Sequence, residues 1–197
     1  MRLLLFRHAE TAWTLTGQHT GKTDLELTEA GEAEARATAS LFQRLLSGTR
    51  LAALYSSPRR RALETAALAL GSEHEPIVNE WLAEFDYGNY EGLTPAQIQA
   101  LAPGWSLWSD GCPGGESVQQ VSERADRFIQ LLRERHGDDT VCAVSHGHLI
   151  RILSARLLGL EARSGGLFGI KTCSIADFAQ KNGAFVLNQW NLTVQRG

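Results

Sequence analysis

Residues 3–13 read LLLFRHAETAW, Leu3 to Trp13. Four apolar residues in succession, with no polar alternation, describe a short strand buried on both faces, as strands of a parallel sheet are. The run stops abruptly at Arg7-His8. Two later runs stop in the same way. LAALYS (51–56) opens through Ser57 into Arg59-Arg60-Arg61, and TVCAVS (140–145) opens into His146-Gly147-His148. Three strands thus carry Arg, His and Ser at their carboxyl ends, which is where open parallel sheets bind ligands. The strand serves as a rigid mount, and the residues after it form a pocket wall.

Working outward, short apolar runs alternate with longer amphipathic ones, the pattern of an α/β protein. Helices are expected over 28–46, with Thr28 as N-cap, over 60–70, over 94–102 behind Thr94-Pro95, over 118–136 behind Ser117, and over 148–159, ending at Gly159. A short strand is expected at 75–79 and two final strands near 172–179 and 184–190. The stretch 103–115, with two prolines, four glycines and two tryptophans, reads as a loop. The expected architecture is a three-layer α/β sandwich, a mainly parallel central sheet flanked by helices, as one domain over residues 1–197.

Composition narrows the function. The chain of 197 residues is long enough for a core that needs no metal or disulfide. Its net charge of -3 gives no global basic field for nucleic acid. No apolar run approaches the roughly 20 residues of a membrane span. MRLLLF is too short for a signal peptide and reads as the first strand. Cys112, Cys142 and Cys173 are odd in number and widely spaced, which favours a reducing cytoplasm over a disulfide framework. A homodimer is the base-rate expectation.

With no global positive field, an anionic ligand needs a local cluster of cations. Two imidazoles and at least two guanidiniums at converging strand ends suit a phosphoryl group. Arginine's planar fork matches phosphate oxygens. A histidine can attack phosphorus through one ring nitrogen while the other is held by a hydrogen bond. A second histidine can donate to an oxygen on which charge develops. The leaving alkoxide needs a proton, for which Glu84, Asp86 and Glu91 in LAEFDYGNYEGLT (82–94) are candidate acids.

These residues carry a resemblance. R-H-A-E-T (7–11), SSPRRRALET (56–65), EFDYGNYEG (84–92) and SHGH (145–148) occur in order, and together they resemble the signatures of the histidine phosphatase superfamily, which includes cofactor-dependent phosphoglycerate mutases. The resemblance covers nearly the whole chain. It implies a phosphoglycerate-mutase-like fold and a phosphatase acting on a small phosphorylated metabolite, with His8 as the nucleophile that becomes phosphohistidine. It places Arg7, Arg61 and His146 around the phosphate and makes Glu84 the acid that serves the leaving oxygen. Thr20 and Gly21, in GQHTGKTD, resemble a loop lining the substrate entrance. No metal and no cofactor are implied, since guanidiniums supply the positive charge. The run from Trp13 through Thr28, with SSPR, resembles a branch containing sugar-bisphosphate phosphatases of the sedoheptulose-bisphosphatase type.

Two positions depart from the pattern. Ala9 stands where the family has glycine, and its methyl could crowd the phosphate. Thr14 stands where asparagine is common, and its hydroxyl is a candidate phosphate contact. The family's mutases carry a longer insertion with basic residues after the glutamate, whereas 93–116 here contains no Lys or Arg. That favours hydrolysis over mutase chemistry; a mutase, or a binding protein on an inactive scaffold, are the alternatives.

Other residues keep two readings. Arg59 is a second-choice substrate contact and Arg60 a solvent-facing neighbour. His146 and His148 could instead pair on a metal, and His148 could simply line the entrance or cap the helix it precedes. His19 is either near the pocket or a solvated loop residue, and His74 and His136 read as surface residues. Trp105 and Trp108 are either a specificity lid or a satellite core. Cys142, in a buried strand, reads as inert.

Overall fold

The computed structural model describes residues 1–71 and 73–194. In chain order the elements are β1 (Arg2–Arg7), α1 (Ala12–Thr16), α2 (Glu29–Leu46), β2 (Leu51–Ser56), α3 (Arg60–Leu70), β3 (Ile77–Val78), α4 (Pro95–Leu101), α5 (Leu107–Asp110), α6 (Val118–His136), β4 (Thr140–Ser145), α7 (Gly147–Leu157), β5 (Ile175–Lys181) and β6 (Ala184–Leu192). Short 3-10 turns cover Glu80–Leu82, Gly88–Tyr90 and Ala162–Leu167.

The six strands form one sheet in the order β3-β2-β4-β1-β5-β6. β3, β2, β4 and β1 run parallel, and β5 and β6 close the far side antiparallel. The three strands that end in Arg, His and Ser are therefore adjacent and point the same way. The register aligns Arg7 with Ser145 and Ser56 with Val144. Strand periodicity explains the layers: alternate side chains leave a strand on opposite faces. Leu3 and Leu5 join Val141, Ala143, Phe128 and Leu149 on the α6–α7 side. Leu4 and Phe6 join Cys142, Val144, Phe42 and Ala66 on the α2–α3 side. Both faces of β1 are thus covered, which is why LLLF shows no alternation.

The helix signals act as expected. Thr28, Thr94 and Ser117 each accept an N–H from the first turn of their helix. Thr94–Gln97 and Ser117–Gln120 form reciprocal capping boxes. Three expected elements need correction. The 103–115 stretch is not all loop, because Ser106 caps the short α5. β3 is reduced to two residues. The 148–159 helix stops at Leu157, and Gly159 takes a left-handed turn at φ 74 two residues later. His136 is not a surface residue either: it is half-buried, with Nε2 2.9 Å from the Tyr55 hydroxyl. His74 too is half-buried.

Because Leu5 lies in the fully buried middle of β1, Leu5→Ala is expected to lower unfolding free energy by about 2–5 kcal/mol. The check is the urea midpoint at unchanged slope. A loss below about 1 kcal/mol would contradict a close-packed two-sided strand.

Candidate active site

His8 is fixed from its backbone outward. Its N–H continues the ladder to the Ser145 carbonyl at 2.9 Å, and its carbonyl accepts from Cys173 N at 3.1 Å. In the ring, Nδ1 lies 2.7 Å from the Ala9 carbonyl oxygen. A carbonyl only accepts, so Nδ1 holds the proton and Nε2 keeps a free lone pair. Burial, then the charges of Arg61 and Arg7, push the ring's pKa well below the ordinary 6.5. The neutral ring, the nucleophilic form, is therefore the resting state. The Ala9 methyl does not crowd the ligand side, since Ala9 is fully buried in the apolar cluster of the α2–α3 layer. Its N–H donates to Thr65 Oγ1 at 3.0 Å.

Arg61 is completely buried. Its Nε–H donates to His146 Nδ1 at 3.2 Å, Nη1 to the Thr23 carbonyl at 2.9 Å, and Nη2 to the Thr20 and Gly21 carbonyls at 3.0 and 3.1 Å. Four of a guanidinium's five N–H groups are thereby assigned. His146 Nδ1 must accept, so Nε2 carries the proton of the neutral ring, donated to Ser57 Oγ at 2.6 Å. Burial first, then Arg61 and His8, hold this imidazole well below its ordinary pKa. Its ring centroid is 5.0 Å from that of His8. Residues 8, 61 and 146, far apart in sequence, thus meet at the ends of β1, β2 and β4.

The 20–23 loop that grips Arg61 is itself gripped by Glu91, whose carboxylate accepts from Gly21 N at 2.9 and 3.0 Å and from Thr23 N at 3.0 Å. A Cβ on Gly21 would sit 2.5 Å from the Phe85 carbonyl oxygen. Gly21 is therefore required by this close approach and does not line the cavity.

The three candidate acids separate by geometry. Asp86 pairs with Lys22 at 2.6 Å, and Glu91 braces the loop. Only Glu84 faces the cavity, a space of about 240 Å³ whose wall includes Arg7, His8, Thr14, Thr20, His148 and Arg151. Glu84 Oε1 accepts from Phe85 N at 2.8 Å and Leu149 N at 2.9 Å, and Oε2 accepts from His148 N at 3.0 Å. It thus sits on the N-terminus of α7, where backbone N–H groups favour negative charge. Arg7 crosses the same helix start: a Cβ on Gly147 would lie 3.2 Å from its Cζ. Arg7 Nη1 donates to the Ile170 carbonyl at 2.7 Å, while its buried Nε has no acceptor among the described residues. A buried donor left open beside His8 is suited to a ligand anion.

Other sequence candidates take different places. Thr14 lines the cavity, but its hydroxyl proton goes to the Thr11 carbonyl at 2.8 Å as part of the α1 cap, so it is not the free phosphate donor expected. Arg59 lies outside the cavity wall and begins α3 through its backbone. Arg60 is exposed and pairs with Glu64 and Glu26. The metal-pair reading of His146 and His148 fails on chemistry: the first ring faces a guanidinium and a hydroxyl, and Nδ1 of the second is 2.6 Å from the Tyr87 hydroxyl. Among the described residues no cluster of three or more His, Cys, Asp and Glu could hold a metal ion. His19 is not solvated: it lines the cavity, stacked on Tyr87 at 4.4 Å. Sequence reasoning missed Tyr87, Arg151 and Ser57. Tyr87 and Ser57 lie inside matched motifs, so that signal was present, whereas Arg151 looks like any polar residue of an amphipathic helix.

The family model of the histidine phosphatase superfamily (branch 1) matches residues 3–193. The chain belongs to that superfamily. It is 43% identical over 192 residues to an acid phosphatase of Mycobacterium tuberculosis, covering 98% of this chain and 93% of that one. It is 33% identical over 184 residues to a sedoheptulose 1,7-bisphosphatase of Saccharomyces cerevisiae, covering 81% and 68%. A solved structure of an open reading frame product of Mycobacterium tuberculosis superposes with a TM-score of 0.89 at 42% identity, covering 98% and 97%. Histidine phosphatases thus supply both the sequence and the structural neighbours.

Burial also makes the site sensitive to acid. It lowers the pKa of His19 to about 4. Unfolded, this ring takes up a proton near 6.5; folded, it resists until about 4. Its effect on stability is nil above pH 6.5 and grows unfavourable as pH falls toward 4, at up to about 1.4 kcal/mol per pH unit. Unfolding free energy of His19→Gln should therefore depend less steeply on pH than wild type between those values. Parallel profiles would contradict the buried, neutral ring.

Proposed function

We propose that this protein is a metal-independent phosphatase that hydrolyses small phosphate monoesters through a phosphohistidine on His8, with residues 1–197 acting as one domain. The observation that carries the reading is the His8 ring: Nδ1–H tied to the Ala9 carbonyl, Nε2 free, in the wall of a cavity shared with Arg7 and Glu84.

His8 Nε2 attacks phosphorus, a P–N bond forms, and the ester P–O bond breaks with its electron pair leaving on oxygen. Arg7, with its open Nε donor, and Arg61 and His146 behind it, bear the negative charge of the transferring group. His146 reaches it by turning its Nε2–H from Ser57 to a phosphoryl oxygen. The leaving oxygen takes a proton from Glu84. That proton arrives with the substrate, because the second ionisation of a phosphate monoester lies near about 6. Water then attacks the phosphohistidine, its proton passes to Glu84 and leaves with the phosphate, and the P–N electrons return to Nε2. Guanidiniums perform the charge neutralisation a metal ion performs elsewhere.

The names of the relatives, an acid phosphatase and a sedoheptulose 1,7-bisphosphatase, support a phosphorylated metabolite, sugar phosphates included, as substrate. A cytoplasmic setting fits Cys112, Cys142 and Cys173, all unpaired and buried. Burial pushes the first and last thiols up to about 12, far from the reactive thiolate.

His8→Ala is expected to lower turnover of p-nitrophenyl phosphate by about 10³-fold or more. Near-wild-type activity in that variant would overturn the mechanism. Glu84→Gln is expected to slow an alkyl phosphate by about 10²–10⁴-fold and p-nitrophenyl phosphate much less, since nitrophenolate leaves without a proton. Equal slowing of both would remove Glu84 from the proton transfer.

A further inference from the structure

One cation of the cavity is not accounted for by phosphoryl transfer. Arg151 lies on α7, four residues beyond Gly147 and three beyond His148, about one helical turn along the wall. Two separate elements hold its guanidinium. Nε donates to the Gly165 carbonyl at 3.0 Å and Nη2 to the Gly166 carbonyl at 3.0 Å, both from the 162–167 turn. Beneath it lies the Trp108 ring of α5, 4.3 Å from Cζ to the ring centroid. That turn cannot shift toward larger residues: a Cβ on Gly165 would meet Trp108 at 2.8 Å. Trp108 in turn meets His148 edge-on at 5.4 Å.

These contacts occupy one edge of the guanidinium. The other, formed by Nη1 and the second N–H of Nη2, has no acceptor among the described residues. No ion pair joins Arg151 to a carboxylate among those residues. Its charge interacts with that of Glu84, the proposed acid for the leaving oxygen, and with that of Arg7. Arg151 shares the cavity wall with Glu84 and His148. An oriented cation with an open fork, in the wall of the cavity that also holds Glu84, is built to receive an anion.

We propose that Arg151 is a specificity-determining residue that binds a second anionic group, carboxylate or phosphate, on the leaving-group part of the substrate. This rests on the phosphatase reading of the same site. It also gives the basic-free 93–116 segment a role: that segment supplies the Trp108 platform, and α7 supplies the charge.

The test compares kcat/KM of wild type, Arg151→Gln and Arg151→Lys on two matched pairs. O-phosphoserine and O-phosphoethanolamine differ by one carboxylate; fructose 1,6-bisphosphate and fructose 6-phosphate differ by one phosphate. In Arg151→Gln the preference for the more anionic member is expected to fall about tenfold in at least one pair, mainly through KM, as for loss of one charged hydrogen-bonded contact. Arg151→Lys, keeping the charge without the fork, is expected to fall between. The pair that responds more names the group. Preferences that change by less than about threefold in both pairs, with or without a lower melting temperature, would reduce Arg151 to a structural tie and overturn the proposal. Should Arg151→Gln not fold, Arg151→Lys carries the same comparison. A wild type inactive on p-nitrophenyl phosphate would defeat the phosphatase reading alone; the preferences are then read as dissociation constants of the same esters.

Discussion

A guanidinium with no exposed surface, and with no carboxylate ion-paired to it among the described residues, holds this site together. Arg61 is surrounded by three backbone carbonyls and one imidazole nitrogen. Neutral dipoles take four of its five N–H groups, with no directly paired counter-ion among the described residues in this poorly solvated place, and burial lowers its pKa despite the charge of Glu84. Such an arrangement stabilises an incoming anion more than it stabilises the empty protein. It also explains otherwise unrelated sequence features. The 20–23 loop must present its carbonyls inward, so Glu91 takes its N–H groups and Gly21 must lack a side chain. His146 must accept at Nδ1, which fixes its other nitrogen as a donor.

The same logic runs through the histidines. His8 and His146 are both neutral, yet in opposite tautomers, because one has a carbonyl at Nδ1 and the other a guanidinium. One ring therefore offers a lone pair and the other a proton. The sheet makes this division of labour reproducible, since β1, β2 and β4 are adjacent, parallel and in register at their ends.

Much of this was legible in the sequence, for identifiable reasons. β1 and β4 are buried on both faces, and β2 nearly so, so their apolar runs stand out, and the polar residues that end them are placed by covalent continuity. α2, α4 and α6 announce themselves through Thr28, Thr94 and Ser117. What escaped notice depends on contacts between distant segments. Thr14 looked like a ligand contact, but local capping takes its hydroxyl. Glu84, Asp86 and Glu91 were indistinguishable by residue type and separate only once Lys22, the 20–23 loop and the start of α7 are placed around them. Arg151 was invisible because its partners, Trp108 and Gly165-Gly166, approach from both sides in sequence. The short α5 was hidden in a glycine- and proline-rich stretch whose composition outweighed the Ser106 cap.

The central claim is that a phosphoryl group resides on Nε2 of His8 while Nδ1 stays protonated against Ala9. Protein labelled with nitrogen-15 in its histidine rings, mixed rapidly with excess p-nitrophenyl phosphate and trapped in alkali, allows phosphorus–nitrogen coupling to be read by NMR. The account predicts coupling to Nε2 of His8 and to no other ring nitrogen. Coupling to Nδ1, coupling to another histidine, or turnover without any coupled nitrogen would contradict it.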